Sequence, residues 1–471
     1  MTLSRRAFLR RTAAGALALG ATLPEECAPP PRAQLRVLRE AVRGPVFTRG
    51  TRGYDAARLV FNRRFDGVRP PAVVRVRDTA DVQAVVRWAD RFDVPLVARA
   101  SGHGYHGGST SRTAVVVDLG RLDGIALDGA TATLGPGART ISVYAALARR
   151  GLTVPAGSCP TVAIGGLVLG GGMGLAGRAL GLTLDRVRSF DVVTADGRLR
   201  RVDAAHDEDL FWALRGGGGS FGIVTAIRLR AHAVRRAAWF RVTYPAAARA
   251  EVLAAFDALA PVAPRELTAI CVLSADSVST FGQYLGSEAA LRRVVRPLAR
   301  LPGASSSAGT SDYAALQRMW AGCADGGCLK AERSSFAASS IYVDRRLSAA
   351  GRRAFVAAAD AGATLICDAY GGAIGEVDPR ATAFAHRDVR FSVQILSYTS
   401  IGTARARVRR ARRLVAPHGN GQAYQNYADP DLGGALAAYY GPNRARLEAV
   451  KAALDPDRRF RPAQGLRPAR G

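Results

Sequence analysis

Two side chains in this sequence of 471 residues can act as nucleophiles from within glycine-rich loops. His103 stands in Arg99-Ala-Ser-Gly-His-Gly-Tyr-His-Gly-Gly108, and Cys159 in Gly157-Ser-Cys-Pro-Thr-Val-Ala-Ile-Gly-Gly-Leu-Val-Leu-Gly-Gly-Gly-Met-Gly174. Glycine has no Cβ and tolerates positive φ, so the backbone amides of such loops can close on phosphate oxygens. Taken singly, His103 reads as a surface-loop histidine and Cys159 as a buried apolar thiol. Taken together, with basic Arg99 before the first loop and Gly165, Gly166, Gly170, Gly171 and Gly172 in the second, they suit a cofactor that carries a pyrophosphate and is bonded covalently by an imidazole and a thiol. The second loop is not a dinucleotide fingerprint, because no Gly-x-Gly-x-x-Gly opens a helix with an acid about 20 residues later.

The surrounding pattern supplies elements to position these loops. Ala72-Val-Val-Arg-Val76 alternates as a strand, Thr79 to Ala89 follows as an amphipathic helix with Thr79 at its N-cap, and Val94 to Ala98 is a strand that runs into the first loop. Such a unit delivers a loop at a strand's C-terminal end, where α/β folds place ligands. Leu152-Thr-Val154 precedes the second loop, and Arg215 to Gly222 turns into a strand from Ile223 to Leu229. From about Trp239 alternating strands appear at Phe240–Thr243, Leu267–Leu273, Ser339–Val343, Thr364–Tyr370 and Ser392–Tyr398. Ala- and Arg-rich helices run near 247–259, 287–300, 348–362 and 402–415, so an antiparallel sheet covered by helices is expected. The fold class is therefore α+β: a leader and linker start over 1–30, an α/β domain over 50–235, a sheet domain over 236–418 and a C-terminal segment over 419–471. Residues 24–50, rich in Pro and Arg, read as a linker.

Composition narrows the class. The net charge of +28 could attract nucleic acid or acidic surfaces, yet the arginines are spread along the chain, only Lys330 and Lys451 are lysines, and no nucleic-acid-binding motif is present. The charge reads mainly as composition, with an acidic substrate or surface adhesion left open. Arg5-Arg6 followed by the apolar run Thr12 to Leu23 reads as a twin-arginine export leader, which hands folded, cofactor-loaded protein to the Tat machinery. No other stretch is long and apolar enough to span a bilayer, so a soluble, extracellular or periplasmic protein is expected once the leader is removed. Beyond Cys27 five cysteines remain; Cys323 and Cys328 are the natural disulfide candidate, and no further Cys or His nearby would complete a zinc site.

Here the motifs acquire a family. The chain resembles the berberine bridge enzyme-like FAD-linked oxidases, within the vanillyl-alcohol oxidase superfamily, over residues 54 to 468. The loop Arg99–His103 matches with Ser101 at a usual glycine; Cys159-Pro-Thr-Val-Ala-Ile-Gly-Gly166 matches with Ala163 at another; Leu210 to Gly222 matches a third motif and Ala381 to Arg387 a fourth. Tyr424-Gln-Asn-Tyr-Ala-Asp429, Tyr439 to Leu447 and Asp455 to Phe460 match the C-terminal region. The resemblance implies a PCMH-type FAD-binding domain of two α/β subdomains, with His103 bonded to the flavin 8α carbon and Cys159 to C6. Arg99, Ser101, Gly102, Gly104, Val162, Gly165, Gly166, Gly172, Ile223 and Asn426 are expected to contact the same cofactor, and no metal is expected. Val162 falls where the family places its oxygen gatekeeper, and a small valine there favours O2 as acceptor.

An oxidase of this kind needs a base for a substrate proton while hydride leaves for flavin N5. Periodicity does not choose between Tyr424 and Tyr427; the resemblance favours Tyr427, whose pKa, about 10 when unperturbed, would have to fall near a cation or the flavin. Asp368 in Cys367-Asp-Ala-Tyr-Gly-Gly372 reads either as an orienter of base or substrate or as a turn cap, and His386-Arg387 either as an anion site or as packing. The expected function is oxidation of a small molecule (an alcohol, saccharide or secondary metabolite) with O2 reduced to hydrogen peroxide. A dehydrogenase using a quinone is the same-fold alternative, and a basic surface-binding protein on a flavin scaffold the alternative from another class.

Overall fold

The computed structural model describes residues 29–330 and 332–469, so the twin-arginine leader lies outside the described residues. Apolar residues fill all but the last position of Ala72–Arg75, Val115–Asp118 and Leu96–Arg99, which pair in that order as parallel strands, with Val46–Thr48 antiparallel at the edge. Parallel strands covered on both faces need such continuous apolar runs. The helix Thr79–Phe92 makes the crossover. Its N-cap is Asp78, whose carboxylate accepts the Asp81 N–H at 3.1 Å, and not the expected Thr79, which starts the helix.

The expected linker over 24–50 is also corrected from residue 29 on, its first residues lying outside the described ones. Arg32–Ala41 is a helix and Val46–Thr48 a strand, because Leu35, Leu38 and Val42 recur at helical spacing and bury against the first sheet. The Trp88 indole N–H donates to Gln34 O at 2.9 Å and secures that contact.

A second sheet of five antiparallel strands runs Ile125–Asp128, Thr131–Leu134, Ile223–Arg230, Val187–Val193, Leu199–Val202. The third sheet has seven antiparallel strands in the order Ser305–Asp312, Arg236–Pro245, Ser277–Tyr284, Leu267–Leu273, Thr364–Ala369, Phe391–Ser397, Ala337–Val343. Helices Arg249–Leu259, Glu288–Ala299, Ala349–Asp360 and Ile401–Val415 pack against one face of it. Strand alternation then fixes what the other face shows: Leu267, Ala269, Cys271 and Leu273 are buried under the helices, while Thr268, Ile270 and Val272 turn to the opposite side.

The C-terminal residues return to the first sheet. Leu96 N–H donates to Arg459 O at 2.7 Å and Arg461 N–H to Leu96 O at 2.9 Å, so the last segment pairs with the strand that feeds the first glycine loop. Buried Lys451 ties this return together, donating to Ser220 O, Phe460 O and the Asp455 carboxylate. Cys323 and Cys328 form a disulfide, and Cys159, Cys271 and Cys367 are free.

Candidate active site

A cavity of about 520 Å³ lies where the three sheets meet, and both glycine loops open onto it. Its walls are the loop after Leu96–Arg99, the segment from Gly157 to Leu175, the turn before Ile223, and the free face of the seven-stranded sheet; Tyr424–Ala428 and Pro462–Gly465 close it.

His103 follows a turn at Gly102, whose φ of +74° is open to glycine at little cost. The imidazole stacks on Phe61 with ring centres 4.0 Å apart, and its Nε2 lies 3.0 Å from Thr161 Oγ1, so ring plane and one nitrogen are both fixed. Burial and the Arg139 charge lower its pKa to about 4, which keeps the ring neutral and nucleophilic at neutral pH.

The Cys159 thiol is open to the cavity, yet the protein around it raises its pKa above that of an ordinary thiol. Thr140 Oγ1 donates to Cys159 O at 2.6 Å and holds the loop. Ser101 Oγ accepts the Ala163 N–H at 2.8 Å, binding the two glycine loops to each other.

The cavity wall fits an FAD. A Cβ at Gly166 would project into open space in the cavity, so its absence leaves room for a ligand against the backbone. The buried atoms His106 Nδ1 and Ser109 Oγ, both on cavity-lining residues, have no hydrogen-bond partner among the described residues, as expected of a wall awaiting a polar group. Ser101, Gly102, Gly104, Val162, Gly165, Gly166 and Asn426 all line the same space.

Tyr424 and Tyr427 stand at the two ends of a 3-10 turn, Gln425–Tyr427, which brings side chains three apart together: their rings meet edge to face at 4.8 Å. The hydroxyl of Tyr424 accepts the Gly172 N–H at 2.9 Å and the Asn426 amide at 3.0 Å, and is committed to structure. Tyr427 stacks instead on Tyr105, at 5.8 Å and 13°, beside the cavity. Burial raises its pKa well above 10, and the charges of Asp368, Tyr105 and Tyr424 raise it further. Asp368 lies on Thr364–Ala369 facing the cavity, where burial lifts its carboxyl to about 7 against a weak hydrogen bond from Ser392 at 3.5 Å. Its place on a strand removes the turn-cap reading.

Three expected cofactor contacts fall elsewhere. Arg99 sits between Ala98 and Ala100, which line the cavity, so its side chain points away; it is buried against Asp118 at 2.9 Å and donates to Ala57 O at 2.6 Å. Ile223 is displaced by the same alternation, buried in the core of the first sheet while Gly222 and Val224 reach the wall. Gly172 is packed against Thr183 and serves the cavity only by holding the Tyr424 hydroxyl. His386 and Arg387 are buried packing residues: the imidazole bonds Gln422 and Tyr439 O, and the guanidinium pairs with Asp185 at 2.8 Å. Among the described residues no Arg or Lys lines the cavity, so neither makes an anion site there.

Residues passed over in the sequence complete the site. Thr161 lies two positions after Cys159 and orients His103; Tyr105 lies two after His103, and its hydroxyl accepts the Gln394 amide N–H at 2.9 Å. Their signal was proximity to the two nucleophiles, but which partner each would meet depended on the tertiary fold.

The comparisons with known proteins agree with this construction. A family model described as an FAD binding domain matches residues 70–203, and one described as berberine and berberine like matches 423–467. The FAD-linked oxidoreductase YgaK of Bacillus subtilis is 30% identical over 443 residues, spanning 91% of this chain and 97% of that protein. Among solved structures, the BBE-like 1 protein of Physcomitrella patens superposes with a TM-score of 0.88 at 31% identity, over 93% of this chain and 100% of that one. Glucooligosaccharide oxidase from Acremonium strictum, which has a 6-S-cysteinyl, 8α-N1-histidyl FAD, superposes with a TM-score of 0.85 at 25% identity over 93% and 100% of the two chains.

Proposed function

The chain belongs to the berberine and berberine-like family of FAD-linked oxidoreductases, related to carbohydrate oxidases, and we propose that it dehydrogenates a CH–OH group of a small molecule, passing two electrons and two protons to O2 to give hydrogen peroxide. A bound FAD supplies the hydride acceptor. The observation that carries this reading is the convergence of His103, Cys159, Tyr427 and Asp368 on one cavity.

His103 and Cys159 hold the cofactor covalently. With Nε2 engaged by Thr161 Oγ1 at 3.0 Å, Nδ1 is the ring nitrogen left to bond carbon. A doubly bonded cofactor stays in place in a cleft that must admit substrate. Tyr427 takes the substrate hydroxyl proton and passes its own toward Asp368, whose pKa of about 7 suits proton exchange near neutrality. Tyr105, aligned by Gln394, packs against Tyr427 and fixes its ring. Val162 on the cavity wall leaves space for O2. Export by the twin-arginine route is part of the proposal, supported by Arg5-Arg6 and the apolar run after them.

Photoreducing the purified protein without oxygen and then admitting air tests the acceptor. Rapid return of the flavin bands with one hydrogen peroxide per flavin is expected. Slow return in air, with rapid return on a quinone, would assign a dehydrogenase instead.

A further inference from the structure

The free face of the seven-stranded sheet is apolar where a substrate would meet it. Ile270, Val272, Phe281, Trp320, Ile366 and Leu396 line the cavity on that side, opposite the glycine loops. All but Leu396 are only half-buried, although the other face of the same sheet is sealed by helices. Hydrocarbon surface is therefore left uncovered inside the molecule, where an apolar occupant gains from covering it.

The polar groups on this side are few and partly engaged. Thr268 Oγ1 accepts the Arg178 N–H at 3.3 Å, the Gln394 amide donates to Tyr105, and the Trp320 indole N–H donates to Gln283 Oε1 at 3.3 Å. Trp320 thus offers the cavity its ring, which stacks on Phe281 with centres 5.3 Å apart. Gln394 Oε1, the Thr268 O–H, Asp368 and the hydroxyls of Tyr427 and Tyr398 remain for a ligand. Asp368 and Tyr427 are the proton-handling groups, and Tyr398, 62% exposed, stands at the mouth.

We propose that the substrate is a neutral, largely apolar molecule with the reacting alcohol at one end, and not an oligosaccharide; this rests on the oxidase reading above. A sugar ring carries hydroxyls around its whole rim, and each one turned toward Ile270, Val272, Ile366 or Leu396 would lose its water partners without replacement, at a cost of roughly tenfold or more in affinity. An isoprenoid or aromatic alcohol presents one hydroxyl to Tyr427 and Asp368 and covers the rest of the wall. With no Arg or Lys among the described residues of the wall, an anionic substrate would face Asp368 without a cation in contact.

The test uses flavin-loaded protein whose reoxidation by air has first been confirmed, so that failure of the oxidase reading is seen separately. Anaerobic bleaching of the flavin is then followed with geraniol and cinnamyl alcohol against cellobiose, xylobiose and chitobiose. The inference expects the apolar alcohols to bleach the flavin with kcat/KM at least tenfold above every disaccharide. It also expects Ile366→Ala and Leu396→Ala, each checked for retained covalent flavin, to raise KM for the apolar alcohols by roughly tenfold, the loss of a few buried methyl groups. Equal or faster bleaching by a disaccharide, or no bleaching by either apolar alcohol, overturns it.

Discussion

Asp368 shows how much of the chemistry depends on where one side chain is buried. A carboxyl that ionises near 4 in an unfolded chain is lifted to about 7 in the cavity wall, chiefly by loss of water. Between those values the folded protein holds a proton that the unfolded chain has released, so stability contributed at this site falls as pH rises through that window. Asp368→Asn removes the penalty. Urea unfolding of variant and parent at about pH 4.5 and about pH 8 is expected to show the variant gaining relative stability at the higher pH, by up to about 4 kcal/mol; an equal difference at both would contradict the shift. Tyr427→Phe is expected to keep its flavin while losing most substrate turnover, by a factor of roughly 100 or more, measured as anaerobic flavin reduction. The two departures from the family's glycines also meet at this scale: Ser101 Oγ accepts the N–H of Ala163, so both together form a contact between the loops.

Among the elements, the short helix Gly177–Leu180 joins the cofactor-side loops to the substrate sheet through Arg178. Its buried guanidinium donates to Tyr370 O, Leu267 O, Pro264 O, Ala263 O and Pro261 O at 2.6–3.1 Å, all from the sheet domain. Arg178→Met would strand those carbonyls, and urea unfolding is expected to show a loss of at least about 3 kcal/mol. Lysine should not restore it, since an ammonium cannot reach a fork of carbonyls; full rescue by Arg178→Lys would contradict the clasp. This clasp was illegible in the sequence because its partners are backbone atoms far along the chain. The strands flanking the glycine loops were legible, since runs such as Val115–Asp118 carry their burial in their composition. Ser305–Asp312, an edge strand of Ser, Gly and Thr, has no such pattern and was missed. Arg99 and Ile223 were misplaced for a related reason: motif position locates a strand end, but alternation decides which neighbour faces the cavity.

For the whole molecule, the cavity exists only where three sheets and the returning C-terminal segment meet, so neither nucleophile has its partner until the chain is fully folded. Among the described residues no Arg or Lys lines this space, and the positive charge reaches the chemistry through Arg139, which acts on His103 from behind the wall. The proposed covalent cofactor would span both loops, and peptide mass spectrometry of the unfolded, protease-digested protein tests that claim most directly. The account expects one FAD bridging the peptide that contains His103 to the peptide that contains Cys159, with His103→Ala leaving attachment through Cys159 alone. Complete release of the flavin on unfolding, with both peptides at their unmodified masses, would contradict it.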